Sequence, residues 1–105
     1  MVRIRLFCTA GMSTSMLVSK MRKTARDKGI DVEISCYPVT SLQSQIDDAD
    51  VVLLGPQIIF QLDKIKKVCD PLNIPVLLID MVDYGMLNGE KVLNEAINLL
   101  KKEKN

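Results

Sequence analysis

The stretch Ile4-Arg5-Leu6-Phe7-Cys8-Thr9-Ala10-Gly11-Met12-Ser13-Thr14-Ser15-Met16-Leu17 holds the transition that decides the fold. Ile4 to Phe7 reads as a short strand. From about Ser13 the apolar residues change period: Met16-Leu17, Met21 and Ala25 recur at helical spacing as far as Lys28. Gly29 follows as a C-terminal stop. A strand that turns so quickly into a helix is the opening of a β-α unit.

The same alternation repeats along the rest of the chain. Val32 to Tyr37 reads as a second strand, ended by Pro38, and a weaker helix covers Ser41 to Ile46 with Ser41 as its N-cap. Val51 to Leu54 is an unbroken apolar run, suited to a strand buried on both faces, and Gly55-Pro56 ends it. A third helix is expected over Gln57 to about Cys69. Asn73-Ile74-Pro75 then leads into a fourth strand, Val76 to Ile79. Asp80 to Gly89 reads as a loop, and a last helix runs from about Glu90 to Lys102.

Right-handed crossovers between such units predict an α/β fold: a single-domain, open four-stranded parallel sheet with helices on both faces. Ligands of these sheets bind beyond the C-terminal strand ends, where the winding reverses. Four loops meet that condition: Cys8 to Met12, Pro38 to Thr40, Gly55 to Gln57, and Asp80 to Gly89.

Composition removes several function classes. A chain of 105 residues, 48% of them hydrophobic, suits one domain around one core. The formal net charge of +1 provides no field for gathering nucleic acid. Lys101, Lys102 and Lys104 cluster at a helix end, where the dipole favours cations. No apolar run approaches the ~20 residues of a membrane span, and the start reads as a strand with no signal peptide, so a cytoplasmic location is expected. Three cysteines without paired spacing argue against a disulfide scaffold or a zinc site. Histidine is absent, which excludes Ser-His and Cys-His pairs, imidazole metal sites and phosphohistidine. Covalent chemistry near neutral pH then falls to cysteine. No cofactor or metal is implied.

Cys8 stands where such chemistry is favoured. A thiol there faces a helix N-terminus, whose unpaired N–H groups and dipole act like roughly +0.5 charge and favour the attacking thiolate. The same N–H groups can cradle a phosphoryl group. Ala10 and Gly11 let the backbone approach an anion, Thr9, Ser13, Thr14 and Ser15 bring hydroxyls, and Met12 flanks the loop. Between Cys8 and Met16 there is no Arg, Lys, Asp or Glu. A cysteine phosphatase places Arg after a five-residue spacer to clamp the transferring group; Thr14 occupies that place here. A thiophosphate in this loop should hydrolyse slowly and be passed on, which is the chemistry of a carrier.

Cys36, alternating with Val32 and Ile34, and Cys69, closing a helix, read as packing residues, although Cys36 lies near the working edge of the sheet. Asp80 and Asp83 suit capping and turns better than proton donation. Tyr84 and Gln57 are possible accessory residues: Tyr84 to cover the loop or donate to the phosphoryl group, Gln57 to reach it with its amide, although helix capping explains Gln57 more plainly. Met21 reads as core, while Met12 and Met86 suit a docking surface for more than one partner. Two other readings stay open: a small thiol enzyme, phosphatase- or arsenate-reductase-like, and a regulatory module with an unreactive thiol. Nothing requires more than a monomer.

Several segments together resemble one family. They are Leu6-Phe7-Cys8 through Ser15, Leu17-Val18-Ser19-Lys20-Met21, Asp50-Val51-Val52-Leu53-Leu54-Gly55-Pro56-Gln57-Ile58, Ile79-Asp80 and Tyr84-Gly85. The chain resembles the IIB component of the lactose/cellobiose/chitobiose branch of the phosphoenolpyruvate-dependent sugar phosphotransferase system (PTS). The resemblance implies one EIIB-type domain over residues 1–105 with a fold like that of low-molecular-weight tyrosine phosphatases. It also implies that Cys8 is phosphorylated by a phosphohistidine of IIA and passes the group to a β-disaccharide, of cellobiose or chitobiose class, imported by the membrane protein IIC. Thr9, Ala10, Gly11, Met12, Ser13, Thr14 and Ser15 would be the phosphate-binding loop.

Overall fold

A computed structural model describes residues 1–9 and 12–104. Strands β1 (Val2–Cys8), β2 (Val32–Pro38), β3 (Val51–Leu54) and β4 (Val76–Leu78) form one parallel sheet in the order β2-β1-β3-β4. Helices α1 (Met12–Lys28), α2 (Leu42–Gln45), α3 (Leu62–Cys69), α4 (Met81–Gly85) and α5 (Gly89–Lys104) flank it. The chain leaves β1 toward β2 on one side and returns to place β3 on the other. The winding therefore reverses between β1 and β3, and the crevice of such a sheet opens there.

Strand alternation divides the core into two layers. Ile4, Leu6 and Cys8 of β1, with Val51 and Leu53 of β3, face Leu17, Val18, Met21 and Ala25 of α1 and Val92, Leu93 and Ala96 of α5. Phe7, Val52 and Leu54 face the other way, against Leu42, Ile58, Ile65 and Cys69. All of β3 is buried, as its unbroken apolar run predicts. Gly29 ends α1 with φ +67, a left-handed conformation that disfavours side chains with a Cβ. Among the described residues, no helix is long and apolar enough to cross a membrane.

Arg5 is an exception to the apolar pattern of β1. Its guanidinium is buried and donates to Glu33 and Ser35 of β2, both at 3.0 Å, and to Asp48 at 3.1 Å. A cation so placed needs these partners to offset its desolvation. It ties β1, β2 and the turn before β3 together.

Three local expectations fail. Ser41 makes no side-chain cap; residues Val39–Ser41 form a 3-10 turn, and α2 covers four residues only. The expected helix from Gln57 is two elements, a 3-10 segment over Pro56–Gln61 and then α3. Ile58, at φ −111 and ψ 28, breaks the helical path and turns its side chain into the core. Met81–Gly85, expected as loop, forms α4, because Asp80 accepts from the N–H groups of Val82 and Asp83 at 3.0 and 3.3 Å.

Two features make testable demands on this packing. A Cβ on Gly89 would lie 2.7 Å from the Lys20 backbone carbon and the Met21 nitrogen, so α5 approaches α1 only because that position is glycine. Gly89→Ala should lower stability by about 1–3 kcal/mol, read from the denaturant midpoint; an unchanged midpoint contradicts the close approach. Burial, and secondarily the Asp70 carboxylate, push the Cys69 thiol from 9.0 up to about 11. The fold holds this thiol neutral where the unfolded chain ionises it. Stability present below pH 9 should therefore decline as pH rises toward 11. Cys69→Ala should flatten part of that decline, and an unaltered slope would assign it elsewhere.

Candidate functional site

Cys8 ends β1 at the reversal of the winding. Cys8 belongs to the layer under α1 and is 5% exposed. On one side Cys8 is in register with Pro38 of β2. On the other, the Gly55 N–H donates to the Phe7 carbonyl at 3.0 Å, carrying the β1–β3 ladder one step past β3. A Cβ on Gly55 would stand 3.5 Å from the Cys8 Cβ and 3.7 Å from the Phe7 carbonyl oxygen. Glycine there leaves the crevice beside the sulfur clear of a side chain.

Beyond Cys8 the described chain resumes with α1, whose backbone begins at Met12. The thiol thus ends a strand just before the N-terminus of a 17-residue helix, where orphan N–H groups favour anions. Ala10 and Gly11 lie outside the described residues, as do the side chains of Met12 and Ser13. Thr9 is exposed. Thr14 points inward, 1% exposed, with its hydroxyl 2.5 Å from that of Tyr84, which is also buried. Ser15 faces out, and its Oγ lies 4.0 Å from the Cys36 sulfur.

The candidate residues from other loops separate clearly. Tyr84 of α4 reaches the first turn of α1, at Thr14. Gln57 caps nothing: the 3-10 segment has Gly55 at its N-cap position and no side-chain cap bond, contrary to the plainer expectation. Its amide oxygen instead folds over Gly55, 2.8 Å from where a Cβ would sit, and so borders the crevice. Asp80 caps α4. Asp83 is buried and paired with Lys91 at 3.0 Å, a hydrogen bond and charge that hold the Lys91 ammonium above its ordinary 10.5. Both carboxylates therefore serve structure.

Cys69 is fully buried in the opposite layer, and Cys36 is half-buried on β2 opposite Leu6, two residues short of the partner of Cys8. Strand spacing and rise put that diagonal at roughly 8 Å, beyond disulfide reach without backbone movement. The register counts against Cys36 as a second redox thiol. Met21 is core, whereas Met16 is 52% exposed and sits on the outer face of α1.

The strand ends also carry an apolar rim, of which the sequence points to the methionines but not to Ile59, Phe60 or Val82. Ile59 and Phe60 are exposed after β3, and Met81, Val82 and Met86 after β4. Read as a continuous helix, Ile58-Ile59-Phe60 looks like core; the break at Ile58 buries that residue and leaves the next two outside. Between the two loops lies a cavity of about 370 Å³ lined by Pro56, Gln57, Met81, Tyr84 and Gly85. A larger one, about 780 Å³, opens at the other end of the sheet beside Asp50, Lys66, Asp70 and Asn73, away from the thiol.

Comparison with known proteins agrees with this geometry. Residues 3–95 match the family model described as the PTS system, Lactose/Cellobiose specific IIB subunit. The chain is 43% identical over 102 residues to the cellobiose-specific EIIB component of Lactococcus lactis subsp. lactis, covering 92% of this chain and 94% of that one. It is 40% identical over 100 residues to the oligo-beta-mannoside-specific EIIB component of Bacillus subtilis, covering 95% and 97%. The solution structure of a cellobiose-specific phosphotransferase IIB component from Borrelia burgdorferi superposes with a TM-score of 0.82 at 43% identity, over 97% of this chain and 94% of the other. A lactose-specific IIB domain from Streptococcus pneumoniae, only 15% identical, shares the fold alone, at a TM-score of 0.85 over 93% and 96%. The fold is the low-molecular-weight phosphatase-like one that these domains adopt. Sequence, topology and likeness over nearly the whole length agree: the chain belongs to the lactose/cellobiose-specific IIB subunit family of the sugar phosphotransferase system.

Proposed function

We propose that Cys8 is the phosphorylated residue of this IIB component and that the chain works as a carrier, without hydrolysing what it holds. In the first step the Cys8 thiolate attacks the phosphorus of a phosphohistidine on IIA. The P–S bond forms as the P–N bond breaks, and the imidazole keeps the electron pair. In the second step a hydroxyl of the sugar held by IIC attacks the same phosphorus. The P–O bond forms, the thiolate leaves with the P–S electron pair, and the hydroxyl proton passes to solvent or to a base on the membrane protein.

The observation that carries this reading is the setting of the thiol: the end of β1, at the reversal of the winding, next to a helix N-terminus, with no charged side chain between Cys8 and Met16. Backbone N–H groups of the segment from Thr9 to Ser15 supply the anion cradle. The place of a phosphatase arginine is taken by Thr14, a buried neutral hydroxyl. Without a cation to stabilise charge on the transferring group, attack by water gains little. The thiol-enzyme alternative lacks that group.

The names of two relatives, cellobiose- and oligo-beta-mannoside-specific, support a β-linked disaccharide as the sugar delivered to, whereas a third, 42% identical, is named galactose-specific. The exposed Ile59, Phe60, Met81, Val82 and Met86 border the site and offer an adaptable apolar surface on which IIA and IIC dock in turn. The chain then acts as a cytoplasmic monomer that meets the membrane only through IIC.

Incubation with phosphoenolpyruvate, the general phosphotransfer proteins and a cognate IIA should add one phosphoryl group by intact mass. The gain should vanish in Cys8→Ser and persist in Cys36→Ser. No gain with an active IIA, or release of phenol from an aryl phosphate by the chain alone, would overturn the carrier reading.

A further inference from the structure

We infer that Tyr84 is a positioning residue that acts on the phosphoryl site through Thr14, and that the pair replaces a phosphatase arginine with one oriented neutral donor. The inference rests on the carrier reading of Cys8. Thr14 is the sixth residue after Cys8, in the first turn of α1, and its hydroxyl is 2.5 Å from that of Tyr84 in a buried setting. Only one proton can lie between the two oxygens. Either oxygen can donate in this contact; because a phenol is the more acidic partner and an aliphatic hydroxyl the better acceptor, we assign the donor role to Tyr84. The Thr14 proton is then left for another acceptor. The segment between Thr14 and Cys8 is the one that receives the phosphoryl group in this reading.

Tyr84 is well placed to fix that direction. Its ring packs in the same layer as Cys8, Leu17 and Val18. Its N–H donates to the Asp80 carbonyl at 2.9 Å, and its carbonyl accepts from Leu87 at 3.1 Å. Helix α4 is itself held by the Asp80 cap and by the Asp83–Lys91 ion pair to α5. A rigid support of this kind keeps a hydroxyl dipole preorganised toward an anion, which a freely rotating threonine would not do. Hydrogen bonds to charged groups are the stronger ones, and their strength depends on such alignment.

The test is the equilibrium of phosphoryl exchange with IIA, measured for the unmodified chain, Tyr84→Phe, Thr14→Val, the double variant and Thr14→Ser. Tyr84→Phe keeps the ring in the core and Thr14→Val keeps the side-chain shape, so both report on the hydroxyls. Each should shift the equilibrium about tenfold back toward phospho-IIA, with the KM for IIA unchanged. The double variant should be no worse than about one of the singles, because the two groups act in series. Thr14→Ser should stay within about threefold of the unmodified chain, since it keeps the donor. An unshifted equilibrium in Tyr84→Phe, or losses that simply add, would overturn the positioning role and leave the carrier intact. A failure of the unmodified chain to load would overturn both.

Discussion

The hydrogen bond from the Gly55 N–H to the Phe7 carbonyl, 3.0 Å long, closes the seam between β1 and β3 at the end that holds Cys8. Every other feature of the site is arranged around that seam. It holds the residue before Cys8 against the chain leaving β3, while Cys8 itself stays in register with Pro38 of β2. It also brings the backbone after β3 alongside the cysteine, where a Cβ on Gly55 would just touch the Cys8 Cβ at 3.5 Å and would collide with the Gln57 amide oxygen at 2.8 Å. Because the winding reverses at the same seam, α1 and the 3-10 segment Pro56–Gln61 leave on opposite faces. The sulfur lies in the opening between them.

What the fold adds to that seam is neutrality. Charged groups near the active edge are committed elsewhere, Asp80 to the α4 cap and Asp83 to Lys91. The buried cation of β1, Arg5, points to the layer away from the thiol and is matched by Glu33 and Asp48. A phosphoryl group bound here would be held by N–H and O–H dipoles. Such donors stabilise a resting dianion without the concentrated positive charge that draws it toward hydrolysis. The carrier behaviour proposed for this chain follows from that balance.

Much of this is legible in the sequence. The strands followed from β-branched and apolar runs, and the all-buried β3 from the absence of alternation over Val51–Leu54. The Cys8 loop was legible because a strand, a glycine and a hydroxyl-rich helix start occur in one short segment. Strand order was not, since β2-β1-β3-β4 depends on long-range pairing that no local pattern encodes. The break at Ile58 is also hidden: the chain from Gln57 to Cys69 reads as one helix, and burial of Ile58 in the core interrupts it. Helix α4 was missed because its only signal is the Asp80 cap ahead of five residues. The Thr14–Tyr84 contact joins positions 70 residues apart and has no sequence signature at all.

The central claim is that the sulfur of Cys8 itself carries the phosphoryl group in a protected loop. Phosphorus NMR of the chain loaded through IIA and freed of its donors tests it most directly. The account predicts a single protein-bound resonance, scalar-coupled to the Cys8 β-protons and persisting after the donors are removed. A resonance coupled to a serine or threonine of the loop, or one that decays at once to inorganic phosphate, would contradict it.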